Sequence, residues 1–133
     1  SMILTAKGRY AVMAIVDLFQ QKEGKPIKLS EIAERNNISA SYLEQIFLNL
    51  KKRDIVKSVR GPGGGYVLGR PGKEINIADI IRAIGESVKI TSCGGKKNCN
   101  KNLSQCQTHH LWQGLENNIY KYLQSISLQD VCR

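Results

Sequence analysis

At 133 residues the chain is long enough for one domain, or for a small domain with an oligomerisation arm, and too short for a two-lobed enzyme. Its 41% apolar and 23% charged residues are those of an ordinary folded chain, and no window approaches the roughly 18 uncharged apolar residues that a membrane span needs. The net charge of +9 is unevenly placed, with 13 Lys and Arg against 6 Asp and Glu in residues 1–73 and 7 against 5 thereafter, so a polyanion, nucleic acid before membrane, is expected at the first part. The opening SMILTAKGRY has no basic segment followed by an apolar run, so no secretion signal is expected and a cytoplasmic location follows.

Thr5 to Gln21 carries Ala11, Val12, Ile15, Val16 and Phe19 at helical spacing, with Thr5 available as N-cap, and predicts a core-facing helix. After the polar connection KEGKPIK, Leu29, Ile32, Ala33 and Ile38 mark a short helix and a turn. Ser39 or Ser41 can cap the next helix, whose stripe of Tyr42, Leu43, Ile46, Phe47 and Leu50 runs out in Lys51, Lys52 and Arg53. Two short helices joined by a polar turn read as helix-turn-helix. IVKSVR and YVLGR then flank GPGGG, two β-prone runs around a glycine-proline turn, which predicts a hairpin. A basic hairpin directly after a helix-turn-helix is a wing, and its Lys57 and Arg60 can reach phosphates or a narrow minor groove. The glycine run lacks the Lys-Ser/Thr pair and the strand-loop-helix setting of a phosphate-cradling loop.

Asn76 can cap a helix carrying Ile77, Ile80, Ile81 and Ile84, which Gly85 can end. The composition then changes. SCGGKKNCNKNLSQCQ has a single large apolar residue, Leu103, and needs an outside organiser, for which metal is the natural choice. Cys93, Cys99, Cys106 and His109 form C-x5-C-x6-C-x2-H. Three thiolates and an imidazole suit a structural zinc ion or an iron-sulfur cluster, with free thiols as the plain alternative. Zinc sites bring cysteines in tighter pairs, so the wide gaps favour iron-sulfur, and the neighbouring His110 leaves the choice of imidazole open. Cys132 has no nearby partner and reads as a bystander. Beyond the cysteines, Leu111, Leu115, Ile119, Tyr122 and Ile126 recur every three or four residues, with Trp112 and Leu123 widening the stripe. A helix this apolar at the end of a small chain is expected to pack on a partner, with packing on its own domain as the plain alternative.

LTAKGRYAV, SYLEQIF, SVRGPGGGYVLGR and the C-x5-C-x6-C-x2-H-x-L-W pattern together resemble the Rrf2 family of transcription regulators, and within it the iron-sulfur cluster regulator branch. The resemblance runs from about Met2 to Val131, and one ligand gap is a residue longer than in the family form. It implies a homodimeric winged helix-turn-helix joined through the long C-terminal helix. It also implies a [2Fe-2S] cluster on Cys93, Cys99, Cys106 and His109, supplied by the cluster-assembly machinery, and control of the genes for cluster assembly. The family's DNA contacts fall on Ser41, Tyr42, Glu44, Gln45 and Arg60, of which Gln45 can pair with adenine and Glu44, an anion facing a polyanion, suits discrimination between sites.

The expected fold is mainly α with a small β-wing, a winged helix-turn-helix domain plus a long C-terminal dimerisation helix. Residues 1–74 form the DNA-binding domain, 75–92 a connecting helix and hinge, 93–109 the cluster-binding loop, and 110–133 the dimerisation helix and C-terminal end. The alternatives are a nitric-oxide- or cysteine-responsive relative, a structural zinc protein and a small redox carrier. An enzyme is not expected, because no Ser-His-Asp set, paired carboxylates or nucleotide fingerprint is present.

Overall fold

The computed structural model describes residues 5–21, 24–86 and 107–132. In chain order these form α1 (Ala6–Gln20), α2 (Leu29–Asn36), α3 (Ala40–Lys52), β1 (Val56–Val59), β2 (Gly65–Leu68), a 3-10 turn (Gly72–Glu74), α4 (Ile77–Ala83), α5 (His109–Ser125) and α6 (Leu128–Val131). Among the described residues no helix is long and apolar enough to cross a membrane.

The helix starts follow the expected caps. Thr5 Oγ1 accepts from Gly8 N at 3.3 Å, and Ser39 Oγ accepts from Tyr42 N at 3.4 Å. Asn76 and Asp79 exchange side-chain and backbone bonds in a capping box, satisfying two donors that a helix start otherwise leaves open. At the other end of α4, Gly85 adopts φ +76°, a left-handed conformation that lets the chain turn off the helix.

One core joins all four N-terminal helices. Ala14 and Ile15 of α1, Ile32 of α2, Leu43, Ile46, Phe47 and Leu50 of α3, and Ile80 and Ile81 of α4 are fully buried together. Asp17 of α1, itself buried, accepts from Arg35 Nη2 at 2.7 Å, Arg35 Nε at 3.0 Å and Asn36 Nδ2 at 3.0 Å, which locks the end of α2 against α1. The bond to Asp17 pushes the Arg35 pKa further above its ordinary value.

The hairpin pairs antiparallel in the register Val56↔Leu68, Lys57↔Val67, Ser58↔Tyr66 and Val59↔Gly65. A third segment joins it. Ile27 and Tyr66 exchange both backbone bonds, at 2.9 and 2.8 Å, so the connection before α2 is tied to the wing. That approach requires glycine at 65: its φ is +153°, and a Cβ there would run into the Ile27 carbonyl. Tyr66 also meets Phe47 edge to face at 4.9 Å, so the wing root rests on α3.

The end of the chain is tied back to the segment before α4 by backbone bonds. Ile77 N donates to Ile126 O and Leu128 N donates to Ile75 O, both at 3.0 Å, beside a second capping box formed by Ser127 and Asp130. Leu128 is fully buried in the common core. Ile126 and Leu123 also pack against that core, which takes Ile126 off the exposed row expected for a dimer seam. The physical reason is the break in α5 at Ser125: Ile126 is the extended cap residue, so it no longer continues the helical stripe.

Candidate nucleic-acid interface and metal ligands

The helix-turn-helix is α2 and α3, joined through Asn37, which caps α2 in a left-handed conformation (φ 54°) that asparagine tolerates well, and through the buried Ile38. Because one face of α3 is used up by Leu43, Ile46, Phe47 and Leu50, the opposite face must point away from the domain. Ser41, Glu44 and Gln45 are exposed on it. Tyr42 is half-buried and fixed by an edge-to-face contact with Tyr10 of α1 at 5.8 Å, and Ser41 Oγ lies 3.0 Å from Ser39 Oγ at the helix start. Lys57 on β1 and Arg60 at the entrance to the glycine turn are exposed, as are Lys51, Lys52 and Arg53 at the end of α3. The fold therefore brings a polar helix face and a basic hairpin onto one architectural unit. The same outward face carries Leu48, which lies outside the apolar stripe read from the sequence; its offset from that stripe is the available signal.

Of the four expected metal ligands, Cys93, Cys99 and Cys106 lie outside the described residues. Among those described, no cluster of three potential metal donors occurs. His109 is the first residue of α5 and is buried, and its Nδ1 has no hydrogen-bond partner among the described residues. His110 is exposed and meets the His109 ring edge to face at 5.3 Å. Next to them, Trp112 Nε1 donates to Thr108 Oγ1 at 2.9 Å, holding the first turn of α5. Cys132 is a free, half-buried thiol whose pKa burial pushes up, which lowers its thiolate fraction at neutral pH.

Along α5, Leu111, Leu115 and Tyr122 are exposed, while Ile119 is half-buried at the edge of the row. The opposite side of the helix faces the domain, with Arg82 of α4 lying 5.2 Å over the Tyr120 ring.

Helix-turn-helix, hairpin wing and outward polar helix face together define a winged helix-turn-helix DNA-binding protein. The model of a family described as "Rrf2: Iron-dependent Transcriptional regulator" matches residues 4–133. The HTH-type transcriptional regulator IscR of Xenorhabdus nematophila is 48% identical over 132 residues, covering 99% of this chain and 80% of the relative. Among solved structures, T. potens IscR is similar with a TM-score of 0.79 at 36% identity, covering 99% of this chain and 87% of that one. CymR, the global cysteine regulator of B. subtilis, is similar with a TM-score of 0.81 at 30% identity, covering 98% and 96%. The chain belongs to the Rrf2 family: it is a transcription regulator resembling IscR, and not an enzyme.

Proposed function

We propose that the chain is a cytoplasmic homodimer that binds a double-stranded DNA operator, with operator choice controlled by a [2Fe-2S] cluster on Cys93, Cys99, Cys106 and His109. Its targets in this reading are the genes of iron-sulfur cluster assembly, and the assembly machinery is the cluster donor. The carrying observation is His109. A buried imidazole nitrogen without a partner among the described residues is costly unless another group meets it, and ligation of neutral imidazole by a metal removes that cost, so His109 fits the group. It also favours His109 over the exposed His110 as the fourth ligand. When bound, the cluster supplies a redox- and acid-labile link between the cysteine segment and the first turn of α5.

The remaining work falls to the chain's own groups. Ser41, Tyr42, Glu44 and Gln45 face base edges, Lys57 and Arg60 hold phosphates or the minor groove, and Glu44 weakens sites whose phosphates approach it. Leu111, Leu115, Ile119 and Tyr122 form the dimer seam. The Arg82–Tyr120 contact ties α5 to the connecting helix α4. Residues 1–74 thus bind DNA, 75–92 connect, 93–109 hold the cluster, and 110–133 dimerise.

Anaerobic purification followed by iron, acid-labile sulfide and zinc analysis tests the reading. About two irons and two sulfides per chain are expected. Cys99→Ala should lose both while remaining a folded dimer by circular dichroism and sedimentation. Zinc without sulfide, with an unfolded Cys99→Ala protein, would replace the cluster by a structural zinc site.

A further inference from the structure

Leu48 is 56% exposed on a helix whose aliphatic residues Leu43, Ile46 and Leu50 are buried in the core together with Phe47. Its place on α3 is specific. At 3.6 residues per turn, Ser41, Glu44, Gln45 and Leu48 follow the spacing i, i+3, i+4, i+7 and fall within an arc of about 100°, with Lys52 continuing the row one turn on. All five side chains are exposed. The rise from Ser41 to Leu48 is about 10 Å, the length of about three base-pair steps. Leu48 therefore stands in the middle of the face that would lie against a duplex.

The surroundings select the occupant. Lys51, Lys52, Arg53 and Lys57 are exposed around this end of the helix, a setting that attracts phosphate. Within the major groove, the apolar group available to a leucine is the 5-methyl of thymine. We propose that Leu48 is a further base-reading residue, which recognises a thymine by apolar contact with that methyl group. The proposal rests on the interface reading above. It adds a position that the polar pattern of the helix does not reveal, and a mode of readout independent of hydrogen bonds.

The test begins with selection of an operator from random duplex DNA by the full chain. Each thymine of the selected site is then replaced in turn by deoxyuridine, which keeps every hydrogen-bonding edge and lacks only the methyl. Binding is measured for the wild-type chain, Leu48→Ser and Leu48→Met. Loss of one well-packed methyl corresponds to about fourfold weaker binding. Such a loss is expected for the wild type at one thymine per half-site, preserved in Leu48→Met and absent in Leu48→Ser. The exposed position predicts unchanged melting for both variants, which circular dichroism checks. Equal deoxyuridine effects in the wild type and Leu48→Ser overturn the proposal alone, provided Arg60→Ala still weakens binding. Failure to select any DNA, or an Arg60→Ala protein that binds as the wild type does, overturns the interface reading and this proposal with it. A change in sedimentation rather than in DNA binding for Leu48→Ser would assign the face to another copy of the chain and also overturn it.

Discussion

Helices α3 and α5 carry apolar residues at the same spacing and meet different fates. On α3 the stripe of Leu43, Ile46, Phe47 and Leu50 is completely buried, because α1, α2, β1 and α4 close around it. On α5 the apolar residues are divided between two sides. Leu123 turns to the core, while Leu111, Leu115 and Tyr122 remain 60%, 41% and 66% exposed. Helix α5 meets the domain chiefly through α4, and a single neighbour cannot cover a stripe this wide. The comparison teaches that periodicity reports how much apolar surface a helix offers, whereas the number of surrounding elements decides how much the chain itself can cover. What is left over on α5 is the surface assigned here to a second copy, and the polar back of α3 is the surface assigned to DNA.

Variants can break this contrast. The largest effect is expected at Phe47, which supports both the core and the wing root through Tyr66. Phe47→Ala should cost about 3–5 kcal/mol in urea unfolding, and a loss below 1 kcal/mol would show that the two helices are not as different as their burial implies. Next, Gln45→Ala should cost about 1–3 kcal/mol at an operator carrying adenine at the matched position and relax selectivity there. Arg60→Ala should instead weaken binding about tenfold at every site and flatten the logarithmic salt dependence by about 1, measured by titration at several ionic strengths. The smallest effect on folding is expected on α5. Leu111→Ala combined with Leu115→Ala should change the unfolding free energy of the isolated subunit by less than about 1 kcal/mol, yet shift the sedimentation profile towards monomer. A double variant that stays dimeric would move the seam elsewhere.

Much of the fold was legible because its signals are local. Thr5, Ser39 and Asn76 cap the helices that their positions indicate, Gly85 ends α4, and the GPGGG turn makes the hairpin. The outward exposure of Ser41, Glu44 and Gln45 follows from the same local pattern, since residues between the members of a core stripe must point outward, whereas their role toward DNA was implied by the family resemblance. The proposed metal ligands are a pattern of residue types in the sequence, and the burial of His109 against the exposure of His110 is a difference that packing alone makes between two adjacent identical side chains.

By itself the sequence determined the helices α1 to α5, the helix-turn-helix and wing and the basic character of the part that carries them, since caps, turn residues and periodicity act over a few residues. Only the tertiary structure decided the pairing of Ile27 with Tyr66, the clasp of Asp17 on Arg35 and Asn36, the turn of Ile126 and Leu128 into the core, and the outward station of Leu48. Each of these joins segments far apart in the chain or depends on which neighbour arrives first at a shared surface, and such competition for burial is settled by packing geometry that no short stretch of sequence contains.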